Sequence, residues 1–216
     1  NSIFEIAINQ SKEGQHQTFI DTRKEFVAVL NKEEATLNEG KWAPFFTVSP
    51  ELPLERILIG MTEWKSMEGF GEAAARLMPQ QEAQAYFGSF DPLAYALLAT
   101  VDGKPFSMET IKKEGLVVEF AIRKAKTAHA FGEKRDTFFS SLNEYDGFKF
   151  AREFKVHKLN DQGIPSLAER TQAVIIVWEK AEKFQAAAKP IFASKPYQNF
   201  AADVTVETYF ATSPVQ

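Results

Sequence analysis

The sequence predicts an α+β protein built from two β-α-β-β-α-β modules, and three observations carry that reading. Trp64-x3-Glu68-x-Phe70 returns as Trp178-x3-Glu182-x-Phe184, each copy following a β-rich run and opening a polar, alanine-containing helical segment. The pattern Phe19-x3-Arg23-x2-Phe26-x3-Leu30-Asn31 returns as Phe131-x3-Arg135-x2-Phe138-x3-Leu142-Asn143, at an offset of 112 (135 − 23). Phe4-Glu5-Ile6-Ala7-Ile8 is restated by Val118-Glu119-Phe120-Ala121-Ile122. Repetition on this scale divides the chain into modules at 1–106 and 107–216.

In the first module Ile3 to Ile8 reads as a strand with Phe4, Ile6 and Ile8 on one face and Ile3, Glu5 and Ala7 on the other, both faces expected to be largely buried. Asn9 to Gly14 is turn-like. Gln17 to Asn31 is an amphipathic helix whose apolar stripe contains Arg23. Trp42 to Ser49 is a strand in which Pro44 marks an edge or a bulge. After the proline-bearing loop Pro50 to Glu55, Arg56 to Trp64 is an aliphatic strand, and Ser66 caps a helix running to about Leu77. Tyr86 to Ser89 reads as a loop and Pro92 to Val101 as the closing strand, with Asp102-Gly103 as a turn.

Met108 to Gly115 links the modules. The second strand of the second module, Phe148 to His157, alternates with Phe148, Phe150, Phe154 and Val156 facing one way. Asn160 to Pro165 is a turn, and Thr171 to Trp178 is the third strand. Glu179 to Lys189 is the second helix, ended by Pro190. Ala202 to Phe210 is the last strand. Strands apolar on both faces predict sheets packed on each other inside, with helices outside.

Composition narrows the class. Twenty Phe in 216 residues predict aromatic-rich cores that can also line an apolar cavity. A net charge of −4, with no Lys/Arg cluster, speaks against nucleic acid as a partner. No run of about 20 apolar residues provides a membrane span. The absence of Cys excludes disulfides and thiol catalysis. A start at Asn1 rather than Met makes a cleaved secretion signal one candidate, so the compartment, cytoplasmic or exported, is open.

The residues singled out as a candidate pocket are Asn9, Arg23, Trp64, Tyr95, Arg135, Trp178 and Tyr209. The tryptophans suit stacking on a flat molecule, but their occurrence in both modules favours a structural plug between sheet and helix. An Arg in an apolar stripe needs a partner, and the strand acids Glu5 and Glu119 are the expected ones for Arg23 and Arg135. Tyr86, Tyr95, Tyr197 and Tyr209 are expected to be packing residues with one satisfied hydroxyl. His129, at a predicted helix start, is expected to be solvated. There is no Ser-His-Asp grouping, P-loop, GxGxxG or metal-spaced cluster, so no catalytic set and no metal site is assigned.

The Thr62-Glu63-Trp64-Lys65-Ser66-Met67-Glu68 and Val177-Trp178-Glu179-Lys180-Ala181-Glu182 segments resemble those of the dimeric α+β barrel superfamily, in particular antibiotic-biosynthesis-monooxygenase-like domains. The resemblance implies two ferredoxin-like modules fused as an intramolecular dimeric α+β barrel, hence a monomeric pseudo-dimer or a homodimer of such units. It implies a family with cofactor-free oxygenases of aromatic compounds, haem-degrading enzymes and members without a known reaction. Haem-degrading relatives pair an Asn near the end of the first strand with the Trp and with a His on the second helix. Asn9 and Trp64 match two of these positions, but neither Glu68 to Gln84 nor Glu179 to Lys195 contains a His. None of His16, His129 and His157 has a clear axial position, so no cofactor is expected.

Two functions follow. One is a cofactor-independent monooxygenase-like protein acting on or binding a small apolar or aromatic molecule; the other is a non-catalytic ligand-binding or structural barrel, favoured by the lack of any polar catalytic set shared by the halves. The enzyme reading requires a pocket of several hundred cubic ångströms with Trp64 or Trp178 and two or more polar groups converging on it. Any activity is expected to depend on residues that differ between the copies, such as Asn9 against Arg123.

Overall fold

The computed structural model describes residues 1–216. Its first half runs β1 (Ile3–Ser11), α1 (His16–Leu30), β2 (Thr36–Phe46), β3 (Ile57–Trp64), α2 (Met67–Leu77), α3 (Gln81–Phe87), β4 (Phe90–Thr100). A one-turn helix α4 (Glu109–Lys112) lies in the connection. The second half runs β5 (Val117–Ala125), α5 (Glu133–Ser141), β6 (Phe148–Leu159), β7 (Pro165–Trp178), α6 (Ala181–Ala193), α7 (Lys195–Ala201), β8 (Val204–Val215).

Within each half the strands pair in the ferredoxin-like order, β4-β1-β3-β2 and β8-β5-β7-β6. The two sheets then join along β2–β8 and β4–β6, so all eight strands close into a single antiparallel barrel. Closure leaves no free sheet edge. Since every neighbour is antiparallel, β1 and β5 point the same way and begin at the same end of the barrel.

Alternation along the strands decides what lies inside. Phe4, Ile6 and Ile8 of β1 meet Phe120 and Ile122 of β5, Trp42 of β2 and Phe154 of β6 in one interior cluster of 22 buried residues. The barrel is thus a packed core rather than a channel. One end is filled by the connection itself: Phe106 packs edge-on against Phe4 and Phe154, at centroid distances of 5.2 and 5.3 Å, and Trp42 Nε1 donates to the Ile111 carbonyl at 2.9 Å.

The helices cover the outside of the barrel. Ser66 caps α2 as expected, its Oγ accepting from the Gly69 N–H at 3.0 Å. Several expectations are corrected. Tyr86 lies in α3, not in a loop, because Ala83 and Tyr86 bury one face of that short helix. Asn9 to Ser11 extends β1 rather than turning, through a bulge after Ile8. β2 begins at Thr36 and is no edge strand; Pro44 sits at a bulge in its pairing with β8. Phe148 leaves the row of Phe150, Phe154 and Val156, because a register shift turns it outward onto Trp178, 5.6 Å away. Pro190 lies inside α6 instead of ending it, its ring exposed while the next residue, Ile191, is buried and holds the last turn to the sheet.

Candidate functional site

The layer between sheet and helices contains the same buried polar group twice. In the first half Trp64 Nε1 donates to Glu5 Oε1 at 3.2 Å and the Tyr95 hydroxyl donates to Glu5 Oε2. In the second half Trp178 Nε1 donates to Glu119 Oε2 at 2.7 Å and the Tyr209 hydroxyl donates to Glu119 Oε1. In both, Trp and Tyr stand 59 and 90 residues after the Glu. Glu5 and Glu119 occupy the outward face of their strands, so the alternation that sends Phe4 and Phe120 into the barrel places each carboxyl under the helices. The halves therefore share a polar group, and its acid is the residue that sequence reasoning assigned to the arginines.

Burial governs the electrostatics of this group. Removal from water pushes both Glu5 and Glu119 carboxyls above the usual range, more than the hydrogen bonds from Tyr and Trp pull them down. The same burial, reinforced by the neighbouring carboxylate, holds the Tyr95 and Tyr209 hydroxyls well above an ordinary phenol. Each group is a weakly acidic carboxyl held by two fixed donors.

The arginines do not pair with these acids. Arg23 pairs with Glu39 of β2, and Arg135 pairs with Glu153 of β6. The reason is reach across the sheet: Arg23 lies flat over Gly60, where a Cβ would stand 3.1 Å from its Nη2, and so extends past β3 to β2. Glu5 and Glu119 are left to Trp and Tyr.

The halves differ in how this layer is filled. In the first, Phe19, Tyr86 and Phe90 stack together, Tyr86 and Phe90 at 4.8 Å, and Asn9 Nδ2 donates to the Tyr86 hydroxyl at 3.2 Å. In the second, the strand pairing that puts Phe90 opposite Ser11 puts Val204 opposite Ala125. The smaller valine leaves a cavity of about 90 Å³, whose only charged lining residues are Glu119 and Arg123 among seventeen hydrophobic ones. Trp178, Tyr209 and Tyr197 line it, and Val48 reaches it from the first half. The polar convergence meets the expectation, whereas the volume falls below the several hundred cubic ångströms required of an enzyme pocket.

Of the seven candidate residues only Trp178 and Tyr209 border this cavity. Asn9, Arg23, Trp64 and Tyr95 belong to the layer of the other half, and Arg135 approaches it only through Glu153. Arg123, absent from the candidate set, is 4% exposed and sits at the bulge after Ile122. Its Nη2 donates to Glu153 at 2.6 Å, and its guanidinium carbon lies 5.4 Å from the ring centroids of Phe131 and Phe200. Burial lowers its pKa against the opposing pull of Glu153. Its departure from Asn9 at a repeated position is the sequence feature that singles it out. His129 is exposed, as expected.

The closed barrel with helices outside is the architecture of the dimeric α+β barrel proteins, here completed within one chain. In fold the chain is similar to an anthrone oxidase-like protein, with a TM-score of 0.67, 11% identity, and 100% of this chain and 92% of that one covered. It is similar to a mutant chlorite dismutase from Candidatus Nitrospira defluvii, with a TM-score of 0.60, 9% identity and coverage of 100% and 92%. A candidate monooxygenase from Fusobacterium nucleatum gives 0.57, 7%, and 100% and 93%. No protein-family model and no curated protein sequence matches the chain. At such identities the likeness is one of fold.

Proposed function

We propose that the protein binds one small, largely apolar molecule in the cavity of its second half, as a cofactor-independent monooxygenase-like barrel. The observation that carries this reading is an asymmetry of two otherwise matched layers: Phe90, packed against Phe19 and Tyr86 in the first half, is replaced in the second by Val204, which borders a cavity together with Glu119, Trp178 and Tyr209. Trp178 offers an indole face and edge, and Tyr209 and Glu119 form a proton-carrying pair. For a phenolic substrate, Glu119 would accept the hydroxyl proton once pH exceeds its raised pKa, leaving an electron-rich ring for dioxygen. The cavity is smaller than the ~150 Å³ that holds benzene in an engineered protein core, so a single ring enters with a shift of Val48, which is exposed, and of half-buried Phe192.

A second reading, a non-catalytic binding barrel, is favoured by the recurrence of the same Glu-Trp-Tyr group in the first half, outside the cavity. Titration of the chain with quinols, flavonoids and haem, followed by Trp fluorescence and by oxygen uptake, separates the two. Quenching with oxygen consumption supports the monooxygenase-like reading, quenching alone the binding barrel, and no quenching by any compound sinks both. The internal repeat and the matching strand orders support modules at 1–106 and 107–216. A barrel without open edges supports a monomer, which light scattering checks.

A further inference from the structure

The second half carries one more charge than the first in the same layer. Glu5 and Glu119, and Arg23 and Arg135, stand at equivalent places, and each of these arginines has one strand acid, Glu39 of β2 or Glu153 of β6, so these groups cancel in the comparison. Arg123 has no such twin, because the first half has uncharged Asn9 there. Glu153 alone faces both guanidiniums, taking Arg123 Nη2 at 2.6 Å and also Arg135 Nη1. The other acid of the cluster, Asp136, bonds Arg135 Nε at 3.0 Å from an exposed position. Arg123 Nε is buried and has no acceptor. Phenyl rings at 5.4 to 5.9 Å surround the guanidinium on the sides where water would otherwise solvate it. A buried, charged donor in this state is costly, and a matching acceptor relieves that cost.

We infer that the cavity takes a small organic anion, its apolar body lying among Phe138, Ile176 and Trp178 and its carboxylate or phenolate oxygen accepting from Arg123. This rests on the proposed function of the same cavity and adds the chemical class of the ligand. An anion brings the negative charge that the layer lacks, and a charge-assisted bond in a dry site is among the stronger polar contacts. Asn9, at the same place in the first half, could supply a hydrogen bond but no countercharge. Arg123 is thus the specificity-determining residue.

Three single-ring probes, toluene, benzoate and 4-nitrophenolate, titrated against the intact chain by NMR shift perturbation, test this. The expected result is that at least one anion binds about 10-fold or more tighter than toluene. In Arg123→Asn that preference collapses, the ratio of anion to toluene affinity falling to about one. Arg123→Lys, which keeps the charge but lacks the Nε donor, is expected to lose most of the preference and serves if the Asn variant does not fold. The stronger of the two anions tells carboxylate from phenolate. Toluene binding as tightly as both anions, or a preference that survives in Arg123→Asn, overturns the inference and leaves the binding reading intact. No probe binding at all overturns both.

Discussion

Glu119 satisfies two buried donors with a single carboxyl, and the pH dependence of stability should show it. Its folded-state pKa is raised, so the folded protein holds this proton more firmly than the unfolded chain does. The contribution is fully present below the ordinary carboxylate value and is lost as pH rises through the raised one. Glu119→Gln removes the titration but leaves one of the Trp178 and Tyr209 donors imperfectly met. It is expected to be less stable than the parent by about 1 kcal/mol in acid, with the gap narrowing as pH rises, as measured by urea unfolding across the pH range. A constant gap would mean that the carboxyl is not held neutral by the fold. Glu153, 8% exposed in its side chain, partners two arginines. Glu153→Ala is therefore expected to cost about 3–5 kcal/mol in the same measurement, since it strands buried charge rather than removing a surface pair.

At the scale of elements, long periodic segments were legible and short or compensated ones were not. The aliphatic strands β3 and β5 and the helices α1 and α2 followed from alternation and from stripes of Phe and Leu. Seven-residue α3 and α7 are too short to display a full stripe and are fixed by tertiary packing of Tyr86 and Phe200. Trp178 and Tyr209 border the cavity, although repetition favoured a structural plug for the one and a packing role for the other. Glu119 was visible but wrongly partnered, because a one-dimensional pattern does not reveal that a helix arginine crosses a whole strand over Gly60. The proline in α6 lost its helix-ending meaning through the burial of Ile191. Pro190→Ala restores a backbone donor in that helix at an exposed position, and a gain of about 1–3 kcal/mol is expected from thermal unfolding. Val204→Phe, which copies Phe90 into β8, is expected to abolish ligand-induced Trp quenching while the thermal midpoint is kept or raised, because the added ring fills an existing void.

For the whole molecule, one closed barrel predicts one unfolding event. Trp42 reports from the barrel interior, while Trp64 and Trp178 report from the outer layers of the two halves. Variants retaining one Trp each, with Phe in place of the others, are expected to unfold in urea at midpoints that coincide between fluorescence and far-UV circular dichroism within each variant. Non-coincident transitions would show the halves melting separately despite sharing two strand pairings. The connection between the halves bears on what the chain can become. Phe106 and Ile111 enter the end of the barrel where β1 and β5 both begin. The space at that end is filled by this one segment. Two copies of either half, each bringing its own part of the connection, would compete for a single space, so the chain is not equivalent to a pair of either of its halves.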